Sequence, residues 1–103
     1  MATSNYTTRC MEFAAFFKGM PGVTTFQSEN TDYNDFSGTV YIDGQEFVCI
    51  DQMEESRFMV YINNPYDDDL QWIFGYYRTF RGALNKAKKI TERREYPKPV
   101  ETW

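Results

Sequence analysis

The hydrophobic period of the chain changes twice, and each change predicts a boundary between kinds of element. Along "SNYTTRCMEFAAFFKGMPG", Tyr6, Cys10, Phe13 and Phe17 recur at steps of four, three and four, which is one face of a helix with 3.6 residues per turn. Ser4 or Thr7 offers a capping oxygen to the free amides of the first turn, and Gly19 followed by Pro21 ends the run. From Gly22 the period falls to two, with Gly, Asn and Asp spaced as turns between strands. Val23 to Gln27 reads as a first strand.

"FSGTVYIDGQEFVCI" is the clearest hairpin, because Asp43-Gly44 tolerates the positive φ values of a two-residue type I′ turn. That turn sets Ile42 opposite Gln45, Val40 opposite Phe47 and Gly38 opposite Cys49. Phe36, Val40, Ile42, Phe47 and Cys49 then share one side, and Thr39, Tyr41, Glu46, Val48 and Ile50 the other. In "RFMVYIN", Phe58, Val60 and Ile62 alternate with Met59 and Tyr61. "LQWIFGYY" sets Leu70, Trp72, Phe74 and Tyr76 against Gln71, Ile73, Gly75 and Tyr77, with Gly75 marking a bulge. The period then returns to that of a helix. Thr79 caps it, and Ala83, Leu84, Ala87 and Ile90 form a narrow apolar stripe.

The predicted class is α+β: a single antiparallel sheet of four to five strands in a meander, with an N-terminal and a C-terminal helix packed on one face. The other face, with Tyr41, Met59, Tyr61 and Tyr77, is left partly open. Residues 1–103 form a single domain, loose at about 1–4 and 96–103. In outline the order of elements resembles double-stranded-RNA-binding domains. The basic loop motifs of that family are missing, so the resemblance assigns no residue.

Composition supports a core that stands without staples, since nine Phe, eight Tyr and two Trp make 18% of the chain aromatic. Cys10 and Cys49 are too far apart for zinc or redox spacing and read as buried free thiols. No cationic start with an apolar run opens the sequence, and no stretch approaches the ~18 apolar residues of a membrane span, so a soluble cytoplasmic chain is expected.

Candidate chemistry is sparse. Histidine is absent, which removes the commonest general base and metal ligand. No nucleophile elbow, phosphate loop or dinucleotide glycine pattern appears. "DYNDFSG" fails as a calcium loop because Phe36 stands where an oxygen ligand is needed. The expectation is a non-enzymatic protein with no metal and no cofactor.

Charge changes the picture most. Residues 1–76 carry twelve acids and three bases, while 77–103 carry eight bases and three acids, so a net −4 conceals two opposite halves. Glu54 and Glu55, Asp67, Asp68 and Asp69, and Asp32 with Asp35 fall in connections expected at the ends of the sheet. With Tyr66 and Trp72 as neighbouring anchors, these acids suit docking onto a larger protein, because carboxylates spaced like phosphates fit a site built for nucleic acid.

The leading expectation is therefore an acidic protein-binding module. Its concrete version is a phage or mobile-element inhibitor of host nucleic-acid-handling defence machinery, acting by charge mimicry. The rival is a single-stranded nucleic-acid-binding domain. It would use a ridge of Lys86, Lys89 and Arg93, the neighbouring row of Arg81 and Lys88, and sheet tyrosines as stacking surfaces. Helix C-termini favour such cations by ~0.3–1 kcal/mol without any ligand, and a sequence pI near 4.7 repels polyanions at long range. A second copy of the chain is a further candidate partner; a membrane is not.

Overall fold

A computed structural model describes residues 2–30, 35–64, 66–67 and 69–103, and side chains from residue 8 onward among these. The order is α1 (Ala2–Phe17), β1 (Val23–Asn30), β2 (Asp35–Ile42), β3 (Gln45–Glu54), β4 (Arg57–Asn63), β5 (Gln71–Tyr77), α2 (Phe80–Arg93) and β6 (Glu101–Thr102). The strands pair in chain order as one antiparallel meander. The architecture is thus the expected α+β sheet with two helices, extended to six strands.

Two boundaries differ from expectation. The first helix begins at Ala2, so Ser4 and Thr7 occupy positions inside it and not the position before its first residue. Tyr6, assigned to its buried face, lies outside the described side chains. The C-terminal segment, expected to be loose from Tyr96, is tied down. Tyr96 stacks on Phe47 and Phe74 at 4.6 and 5.7 Å, and Val100 N–H donates to the Ile73 carbonyl at 2.8 Å. A two-residue strand between proline-rich and terminal sequence has no period to read, which is why the pattern misses it.

The core lies between the helices and one face of the sheet. Cys10, Phe13 and Phe17 of α1 and Ala83, Leu84, Ala87 and Ile90 of α2 are all buried there. The α1 stripe meets the sheet through rings: Phe13 lies 5.6 Å from Phe36, and Phe36 lies 4.8 Å edge-on from Phe80. Gly38 makes this approach feasible, since a methyl there would stand 2.8 Å from Phe13 Cζ. Thr79 caps α2 by accepting from Gly82 N–H at 3.0 Å. Both cysteines are buried and unbonded.

Two bulges correct the predicted faces. Asp43 and Gly44 have φ of 52° and 82°, and Ile42 faces Gln45 as the type I′ turn requires. Beyond Tyr41, however, Val40 pairs with Val48 and Gly38 with Ile50, leaving Phe47 as the extra residue. Val48 and Ile50 therefore join Val40 on the helix side, and Cys49 moves to the open side beside Thr39. A one-residue insertion inverts every side chain beyond it.

The same occurs in β5, where Val60 pairs with Gly75 but Tyr61 pairs with Ile73, leaving Phe74 extra. Tyr76 consequently lies on the open side. Tyr77, expected there, folds over Gly75 on the helix side, where a methyl would stand 2.8 Å from its hydroxyl oxygen. Gly75 thus borders the bulge and leaves room for the ring.

Candidate functional site

Among the described residues, the connection between β4 and β5 carries the exposed Tyr66 and Leu70 together with Asp67 and Asp69. Its backbone is self-braced. Asn64 N–H donates to Leu70 O at 2.9 Å, Leu70 N–H to Asp67 O at 3.0 Å, and Tyr66 N–H to the buried Asn64 side-chain oxygen at 2.8 Å. Asp67 Oδ1 accepts from Asp69 N–H at 3.0 Å, an Asx-type turn that fixes one carboxylate in direction.

On this frame Tyr66 is 89% and Leu70 40% exposed. Gln71 and Trp103 exchange backbone hydrogen bonds at 2.7 and 2.9 Å, which brings Trp103, 52% exposed, alongside the start of β5. Trp103 Nε1–H donates to Glu101 Oε2 at 2.6 Å, and Tyr76 O–H donates to Glu101 Oε1 at 2.9 Å. These two donors, Trp103 first, hold the Glu101 carboxyl below its ordinary pKa. Arg57 lies over the Tyr76 ring at 4.4 Å.

Trp72 plays a different part from the one assigned to it. It is half-buried, 6.3 Å from the Tyr66 ring and edge-on to Tyr96 at 5.8 Å. It backs Tyr66 from beneath and offers little surface of its own. The sequence does not single out Leu70, Glu101 or Trp103. Leu70 is placed by period alone, and Trp103 reaches the start of β5 only through strand pairing.

The acidic residues do not gather into one patch. Successive antiparallel strands put the turn holding Glu54 and Glu55 at one end of β4 and the loop holding Asp67 and Asp69 at the other. Seven strand residues separate them, about 23 Å. Asp35, at the start of β2, belongs to the end of Glu54 and Glu55. Asp68 and Asp32 lie outside the described residues. Among the described residues two ion pairs form, Arg9 with Glu29 at 3.6 Å and Arg81 with Glu12. Asp67 and Asp69 are in neither.

The basic residues divide as well. Lys86, Lys89 and Arg93 line one groove of about 380 Å³ with Ile90, Tyr96 and Pro97. Arg81 and Lys88 turn toward α1 instead, 5.3 and 5.2 Å over the Phe16 ring. The tyrosines proposed as stacking surfaces are elsewhere: Tyr41 and Tyr61 are on the open face, across the sheet from α2. Tyr96, beside the groove, has its ring flanked by Phe47 and Phe74.

The open face is organised around Asp51. Ser37 Oγ–H donates to its Oδ1 and Tyr61 O–H to its Oδ2, each at 2.9 Å. Cys49 lies beside this group with Thr39 Oγ1 3.7 Å from its sulfur. Burial pushes the Cys49 thiol up to about 12, so it stays protonated near neutral pH, the form that is not a nucleophile. Burial, then the Asp51 charge, raises the Tyr61 phenol as well.

Among the described residues no three His, Cys, Asp or Glu side chains come together as metal ligands, and no helix is long and apolar enough to cross a membrane. Compared with family models, with curated proteins and with solved structures, the chain matches none.

Proposed function

We propose that the protein is a non-enzymatic docking module that binds a larger protein through the rim formed by Tyr66, Asp67, Asp69 and Leu70. One observation carries this reading: Tyr66 and Leu70 stand exposed in the same short loop as Asp67 and Asp69, two carboxylates that have no cation within ion-pair distance among the described residues. Exposed aromatics on a braced loop lose little conformational entropy on binding, and hot spots are enriched in Tyr and Trp.

The carboxylates select a partner with a positively charged, apolar-walled cleft. A nucleic-acid-binding groove has that character, so the concrete form of the proposal is an inhibitor of nucleic-acid-handling machinery that occupies such a groove. Phage or mobile-element origin belongs to this reading as a proposal. Glu54 and Glu55 fall outside the rim and serve as the internal control. The single-stranded nucleic-acid reading is less well supported, because its cations and its sheet tyrosines lie on opposite sides of the sheet.

The test is affinity capture from lysate, with mass-spectrometric identification of the retained proteins, repeated with two variant sets. Replacing Asp67, Asp68 and Asp69 by Asn together with Tyr66→Ala is expected to lower capture of a specific protein at least tenfold with Tm nearly unchanged. Glu54→Gln with Glu55→Gln is expected to leave capture intact. Equal loss from both sets, or from neither, would refute the rim as the docking site.

A further inference from the structure

The two edges of the sheet are built differently. At one edge β6 is two residues long and follows Pro97 and Pro99, which cannot donate to another strand. At the other, β1 presents eight residues in unbroken register with β2, with no proline and no bulge. Among the described residues its only charged side chain is Glu29, which turns to the helix side and pairs with Arg9. From Thr24 to Glu29, no backbone hydrogen bond is made on the outer side of this strand among the described residues. Natural edge strands are usually shortened, charged, bulged or covered, and β1 shows none of the first three.

Apolar groups flank this edge in both layers. On the open face Phe26 is 66% exposed, and in the helix layer Met11 is 63% exposed. A groove of about 450 Å³ runs between α1 and β1, with Met11, Ala14, Ala15, Lys18, Val23 and Thr25 among its lining. An edge strand pairs by backbone hydrogen bonds with another strand, so the occupant has to be extended chain.

We propose that β1 pairs antiparallel with β1 of a second copy, forming a twofold dimer with one continuous sheet of six strands from each chain. The strand is complementary to itself. With Phe26 opposite its own copy, Thr24 meets Ser28 on the open face and Thr25 meets Gln27 on the helix side. Ring faces ring, hydroxyl faces hydroxyl, and no like charges oppose. The two α1 helices then lie on the same side of the joined sheet, with the exposed Met11 of each bordering the groove beside β1. The closed β6 edge prevents further growth, so the assembly stops at two. This interface is separate from the β4–β5 rim, and each can fail without the other.

Light scattering on the eluting peak tests it, with sedimentation equilibrium across a concentration series. The wild-type chain is expected at twice its 12.2 kDa mass. Phe26→Lys places two like charges face to face and is expected at the single-chain mass with an unchanged circular dichroism spectrum. Phe26→Cys is expected to form a covalent dimer on oxidation, since Cys10 and Cys49 are buried. A wild-type chain that stays at 12.2 kDa at its solubility limit overturns the proposal. So does a Phe26→Lys variant that remains dimeric, and a Phe26→Cys dimer that fails to crosslink on oxidation overturns the register.

Discussion

The two faces of the sheet reach their burial by different means. On the covered face Phe13, Phe36, Phe58 and Phe80 pack ring against ring at 4.8–5.7 Å, and the helices exclude water. On the open face no helix among the described residues packs on the strands, yet Cys49, Met59 and Ile73 are buried. Tyrosines there are tethered by their hydroxyls, Tyr61 to Asp51 and Tyr76 to Glu101. A large ring held by a polar tip leaves less apolar surface in contact with water. One face is held by apolar contact and the other by hydrogen bonds between side chains.

The largest effect should come from the covered face. Phe36→Ala removes a fully buried ring that touches both helices, and a loss of about 3–5 kcal/mol is expected by denaturant titration. Tyr61→Phe keeps the ring and removes one donor to Asp51, with an expected loss of about 1–2 kcal/mol. A Tyr61→Phe loss as large as that of Phe36→Ala would break the distinction, because the open face would then be as essential as the core.

The smallest effect is a titration in β6. Glu101 has a folded pKa below its unfolded one, so its contribution to stability is present above the unfolded value and lost as pH falls through the folded value. Trp103→Phe removes the leading donor, and the Glu101 carboxyl resonance is then expected to titrate closer to its ordinary pKa by NMR. An unchanged midpoint would show that the indole does not hold this carboxylate in solution.

Much of the fold is legible in local pattern. The α1 face from Cys10 to Phe17, the Thr79 cap, the Asp43-Gly44 turn and the alternation of β4 all follow from period and turn chemistry. The faces of β3 and β5 do not. Each contains a bulge, and the bulged residues Phe47 and Phe74 are as apolar as their neighbours, so the pattern gives no sign of the inversion beyond them. The candidate site divides in the same way. Tyr66 and the aspartates announce a loop by composition, whereas the half-buried state of Trp72 and the arrival of Trp103 depend on strand pairing.

The sequence by itself determined the element types, the order helix–meander–helix and the division of charge along the chain, because these depend on residues close to one another. Tertiary structure alone decided which carboxylates share a surface, which cations turn inward to Phe16, and which edge of the sheet stays open. Strand direction and register carry residues distant in sequence to the same end or to opposite ends, and no local pattern encodes that distance.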